Sequence, residues 1–176
     1  MIRNFFASKA DAEVRAGLPK LYPRLWRFAL SLSGSRSNAD DLAQAVVQRA
    51  LEQADKFTPG TKLEAWLFTM TRRLWLNDLR AQKIRTAGGL LPVEEIDLPD
   101  VGPDTETNIL ARQVFAQVMA LPEAQRATVI LVYVEGYTYA EAAQILDIPI
   151  GTVMSRLASA RKKIEVAPQG RKAGTL

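Results

Sequence analysis

Neither cysteine nor histidine occurs among the 176 residues. Their absence removes disulfides, zinc fingers, thiol nucleophiles and every imidazole-based acid–base mechanism. Long hydrophobic runs are also missing: the longest apolar stretches, such as residues 127–134, fall far short of the roughly 20 residues that a membrane span needs. The opening MIRNFFASKADAEVR has no uninterrupted apolar core of the secretory kind. The expectation is a cytoplasmic protein with no membrane insertion, no metal, no cofactor and no enzymatic activity of its own.

What is present is an apolar fraction of 48%, ample for packed cores. The net charge of +4 is spread unevenly. Residues 1–86 carry 15 Lys/Arg against 8 Asp/Glu, and residues 112–176 carry 8 against 5. Between them, residues 87–111 hold no basic residue and six acids: Glu94, Glu95, Asp97, Asp100, Asp104 and Glu106. Two basic blocks around an acidic segment suggest two polyanion-binding modules on a tether, with ordinary solvated surface as an equal alternative from charge alone.

Helical periodicity dominates the chain. Leu18, Leu21, Tyr22, Leu25, Phe28, Ala29 and Leu32 define a first helix that Gly34 ends, although Pro23 is awkward inside it. Ser37 or Asn38 is placed to cap a second helix with Ala39, Ala43, Val46, Val47, Ala50 and Ala54 on one stripe. The loop Phe57, Thr58, Pro59, Gly60, Thr61 and Lys62 interrupts it, and a third helix turns Leu63, Leu67, Met70 and Leu74 inward. Residues 87–108 contain three prolines, three glycines and no sustained period, as a flexible acidic linker would. Periodicity resumes with Ile109, Val114, Val118 and Leu121; Pro122 opens another helix and Gly136 closes it. The fold class expected is all-α, with two small helical domains. The divisions are an N-terminal tail (1–17), a first domain (18–86), the linker (87–108), a second domain (109–166) and a C-terminal tail (167–176).

Residues 138–164 form the sharpest local pattern. Thr138 and Glu141 fit a capping box, and a short helix buries Ala142, Ala143, Ile145 and Leu146. Asp147, Ile148 and Pro149 make the turn, and Val153, Leu157, Ala160 and Ile164 then face inward on a second helix. Its other face carries Thr152, Ser155, Arg156, Ser159, Lys162 and Lys163. Hydroxyls and cations on the second of two tightly joined helices suit a major groove, so a helix-turn-helix that reads DNA is favoured over a merely solvated basic face. Arg156 is placed to reach a guanine edge.

These motifs resemble a known family. LPEAQRATVILVYVEGYTYAEAAQILDIPIGTVMSRLASARKKI is similar to the promoter-binding C-terminal domain of extracytoplasmic-function sigma factors. NADDLAQAVVQRAL resembles their polymerase-docking helix, and FTPGTKLEAWLFTMTRRLWLNDLR their minus-ten loop and helix. The resemblance covers residues 18–86 and 109–166 and implies a dissociable promoter-specificity subunit of bacterial RNA polymerase. It implies three partners: the large subunits of core RNA polymerase, promoter DNA and an anti-sigma factor. Asp41, Leu42, Gln44 and Gln48 would dock on the polymerase clamp, with core packing as the alternative for Leu42. Phe57, Thr58, Pro59, Gly60, Thr61 and Lys62 would capture a base flipped from the non-template strand, a step that costs a few kcal/mol. Arg72, Arg73, Asn77 and Arg80 would lie along that strand, and Trp66 and Trp75 either stack bases or pack. Thr152, Met154, Ser155, Arg156, Ser159, Arg161 and Lys162 would read the minus-thirty-five element.

Several positions depart from the family pattern. Ala45 stands where an acid is usual, Arg73 where asparagine is common, and Asp147 replaces a turn glycine. Met154, Ala158 and Ser159 occupy places often held by arginine or larger residues, which implies an unusual minus-thirty-five preference. The linker would thread the polymerase's product-exit path, or serve only as a solubilising tether. Two other readings are open: a sigma mimic that sequesters an anti-sigma factor, and a helix-turn-helix repressor, which leaves the first domain unexplained.

Overall fold

A computed structural model describes residues 8–85 and 106–166. The acidic linker, the C-terminal tail and the first seven residues lie outside the described residues. Within them the chain forms α1 (Lys9–Ser33), α2 (Arg36–Glu52), α3 (Leu63–Arg85), α4 (Glu106–Met119), α5 (Glu123–Val129), α6 (Tyr139–Leu146) and α7 (Ile150–Val166). The described residues hold no strand.

α1 begins earlier than the periodicity predicts. Ser8 caps it by accepting the Asp11 N–H at 3.1 Å, and Ala10 and Val14 are buried, so residues 9–17 are helix rather than tail. Pro19 and Pro23 both lie inside the helix and face solvent. The packed side keeps the axis continuous while the outer side gives up the hydrogen bonds that proline cannot make. α2 is capped by Ser35, one turn before Asn38, whose N–H the Ser35 hydroxyl accepts at 3.3 Å. The alanine stripe of α2 allows close packing on α1 and α3, with Ala39, Ala43, Val46 and Ala50 buried together with Leu42. From α3, Leu63, Leu67, Phe68, Thr71 and Trp75 are buried. Met70 and Leu74 pack at the margin of this core.

In the second half, Val118, Met119 and Leu121 are buried, but Val114 is 48% exposed. Val114 fits the helical period but lies off the buried face of α4. Helix α4 starts at Glu106, inside the span assigned to the linker. Pro122 stands at the N-cap of α5, which passes into a π-helical turn at Ile130–Val134 before Gly136 reverses the chain. α6 and α7 close on one another through Ala142, Ile145, Leu146, Val153, Leu157 and Ala160, all at most 3% exposed.

The two halves pack together, α1 against α5 and α3 against α6. Phe68 joins them, 5.0 Å from Phe28 on one side and 5.8 Å edge-on from Tyr137 on the other. At the centre of the seam lies Arg126, only 7% exposed. Its guanidinium donates to the Ser31 and Leu32 carbonyls at the end of α1 and to those of Met119 and Leu121 in its own half. The last carbonyls of a helix lack intrahelical partners and carry partial negative charge, so a cation from another domain caps α1. Gly34 ends α1 at φ 73°, and a Cβ there would stand 3.1 Å from Arg126 Nη2.

Candidate nucleic-acid interface

The loop after α2 is held from within. Phe57 is 3% exposed and packs 5.5 Å from Trp66, so it supports the loop rather than lining an open pocket. Thr58, Pro59, Gly60, Thr61 and Lys62 are exposed, and the Thr61 N–H and hydroxyl both donate to the Thr58 carbonyl. Beside the loop, a cleft of about 390 Å³ between α2 and α3 is lined by Arg49, Lys56, Trp66, Met70, Arg73 and Asn77, among others. Arg73 and Asn77 were expected here; Arg49 and Lys56 were not. Lys56 directly precedes the expected loop, and Arg49 lies two turns earlier on the polar side of α2, so the signal was adjacency. Arg80 reaches back to Asn77 Oδ1 at 3.1 Å, which presents amide and guanidinium on one face of α3. Trp75 is buried at 8% and belongs to the core.

The docking candidates divide by burial. Asp41, Gln44 and Gln48 are exposed along α2, with Gln48 donating to Glu52 at 2.9 Å. Leu42 is 3% exposed. It is a core residue facing the helices behind α2, the alternative to a docking contact.

The helix-turn-helix forms as its sequence predicts. The Thr138 hydroxyl accepts the Glu141 N–H at 3.2 Å, and the Thr138 N–H donates to Glu141 Oε2 at 2.9 Å. Asp147 occupies the left-handed turn position at φ 54°. On α7, Met154, Ser155, Ser159, Arg161 and Lys162 are exposed and Thr152 is half-buried. The Ser155 hydroxyl donates to the Thr152 carbonyl, and Arg161 donates to the Tyr133 phenol at 2.8 Å. Arg156 is only partly exposed; burial lowers its pKa, and so does Arg72, while Glu123 acts the other way.

Two of the candidate DNA cations meet carboxylates of the opposite half. Arg72 pairs with Glu123 at 2.7 Å, and Lys62 pairs with Glu141. The Lys62 contact, with the capping bonds from Thr138, pulls the Glu141 carboxyl down to about 2. Arg24 and Arg27 of α1 hold Glu135 at 2.6 and 3.0 Å, and the Glu135 side chain is only 1% exposed. A cleft of about 300 Å³ runs along the seam between Lys62, Trp66, Thr69, Tyr137, Glu141 and Ile145. The described residues contain no cluster suited to a metal ion and no helix long and apolar enough to cross a membrane.

A three-helix unit with a basic cleft, joined to a helix-turn-helix unit, is the plan of a two-module sigma-type DNA reader. Residues 20–84 match Sigma-70 region 2, and residues 111–164 match Sigma-70 region 4. ECF RNA polymerase sigma factor EcfG of Rhodopseudomonas palustris is 37% identical over 147 residues, spanning 81% of this chain and 77% of that one. SigE of Mycolicibacterium smegmatis is 32% identical, over 80% of this chain and 56% of its own. Sigma factor RpoE of Bartonella quintana, solved in complex with the anti-sigma factor NepR, superposes with a TM-score of 0.72. It is 28% identical, over 87% of this chain and 94% of that chain. The chain belongs to the extracytoplasmic-function sigma factors, the alternative sigma factors that direct transcription initiation.

Proposed function

We propose that this sigma factor grips a promoter at two points once core polymerase has separated its halves, and that it contributes no catalysis of its own. Asp41, Gln44 and Gln48, on the open face of α2, are the polymerase-docking residues. The exposed loop and the cleft beside it take a base flipped from the non-template strand, with Arg73 and Asn77 against it and Arg49 and Lys56 near its phosphates. Helix α7 enters the major groove at the minus-thirty-five element. An anti-sigma protein is a further partner, by analogy with the NepR complex of the Bartonella relative. The protein acts in the cytoplasm, beside polymerase and the chromosome.

One observation carries the reading: Lys62 and Arg72, both expected on the DNA, already bind anionic oxygens, those of Glu141 and Glu123. A carboxylate and a phosphate make the same demand on a cation, a fixed donor facing a negative oxygen. Promoter engagement then exchanges one for the other, and the closed packing is the DNA-free form. Two small modules on a tether bind free duplex weakly until polymerase sets their spacing.

Permanganate footprinting of unpaired thymines in the minus-ten region, with reconstituted holoenzyme, tests the assignment. Arg73→Ala and Asn77→Ala should reduce strand opening while leaving holoenzyme assembly intact. Full opening by both variants would remove the cleft from the mechanism.

A further inference from the structure

The exposed face of α7 differs from the face that its cations suggest. Among the large apolar side chains left in solvent, Ile150 (46% exposed) and Met154 (50%) stand one turn apart on this helix, and exposed Ala158 continues the line. Beside them runs a second exposed line of Gly151, Ser155 and Ser159. The other long side of α7 is committed to the core through Val153, Leu157 and Ala160. No cation lies on the exposed lines until Arg161 and Lys162, and Arg156 has Arg72 and Glu123 as its electrostatic neighbours.

Gly151 adds an independent observation. It is helical, and a Cβ built on it would meet nothing within 4 Å. Gly151 is the second residue of α7, in its first turn rather than its interior, and the fold leaves the space beside it open to whatever approaches this face.

We infer that Ile150 and Met154 read thymine in the minus-thirty-five element by packing on its C5-methyl group, with Gly151 admitting the groove wall beside them. This rests on the promoter-reading assignment of α7. The major-groove edge of thymine is the one base edge that offers a methyl group, and apolar side chains are its natural partners. The first residues of a recognition helix are those that reach base edges, and Ile150 and Met154 occupy its first turn and a half. Arg161, Lys162 and exposed Lys163 at the far end supply the phosphate contacts that hold such a helix in the groove. Discrimination by this face is hydrophobic, with guanine contacts confined to what Arg156 can reach after the halves separate.

The test uses reconstituted holoenzyme. A promoter is selected from a library randomised in the upstream element, and each thymine in that element is then replaced by deoxyuridine, which removes one methyl and alters no Watson–Crick pair. Wild-type holoenzyme should lose about fourfold in affinity at one or two neighbouring positions, the value of one buried methyl. Met154→Ala or Ile150→Ala should make it indifferent to the same replacements. Both side chains are exposed, so an unchanged thermal melt separates a lost contact from a lost fold. Gly151→Ala should melt no lower than wild type and yet bind every promoter more weakly. A wild-type protein that selects an upstream sequence but ignores every deoxyuridine would overturn methyl reading and leave the promoter reading standing. Failure to select any upstream sequence would overturn both.

Discussion

Arg126 illustrates how one side chain couples two folding units. A buried guanidinium remains charged, because burial lowers its pKa from a value too high to cross neutrality. Its planar fork offers five donors, and four carbonyls of two chain segments each accept one hydrogen bond from it. Lysine has three donors in a different geometry and cannot span the same set. Arg126→Ala should therefore destabilise the protein by roughly 2–4 kcal/mol in urea denaturation, because the carbonyls lose their partner while staying buried. Arg126→Lys should recover little of that loss; full recovery would show that charge alone suffices. Asp147 makes the opposite case. Its left-handed backbone at φ 54° is one that aspartate tolerates and glycine adopts freely. Asp147→Gly should keep or raise the melting temperature, whereas Asp147→Val should lower it by several degrees.

At the level of elements, the helix-turn-helix was legible because each of its signals is local. The Thr138–Glu141 capping box, the Pro149 break and the 153, 157, 160 spacing all act within a turn or two of the chain, and the structure contains each of them. Thr138→Ala should cost about 1 kcal/mol of stability, the usual value of a lost cap. Glu141 is drawn toward a pKa of about 2 by Lys62 and the Thr138 bonds. A carboxyl depressed on folding contributes stability that is complete above its ordinary value of 4.5 and is lost as pH falls toward about 2. Acid titration of the folded protein should show loosening of the α3–α6 contact in that window, and Glu141→Gln should remove the pH dependence. The start of α1 was not legible. Pro23 reads as awkward inside a helix, and only packing of Ala10 and Val14 on the rest of the domain shows that α1 runs through it. The same lack of tertiary information left Leu42 open between contact and core, and gave no sign that Val114, which fits the period of α4, faces solvent.

On the scale of the whole molecule, the sequence described two charged modules and a tether but could not describe their meeting. The seam is made by Arg24, Arg27, Lys62 and Arg72 against Glu123, Glu135 and Glu141, pairs separated by 51 to 111 positions in the chain. No periodicity or motif reports on such distances. These contacts differ in exposure: Lys62–Glu141 lies in solvent, while the Glu135 carboxylate is shielded. Salt should therefore weaken the α3–α6 side of the seam before the α1 side. Glu123→Gln with Glu141→Gln, which keeps the capping box, should raise the radius of gyration in small-angle scattering without lowering helix content. An unchanged radius would mean that Arg126, the Phe68–Tyr137 contact and the shielded Glu135 pairs hold the halves together without the other two.

Two-point promoter reading under polymerase control is the claim on which the rest depends. Its most direct measurement is run-off transcription by core RNA polymerase over a promoter library, with and without this protein. The expected result is a set of transcripts that appear only with the protein and share both upstream and minus-ten sequences. Polymerase binding without any promoter-dependent transcript would contradict that claim and point to a protein that occupies sigma's partners without reading DNA.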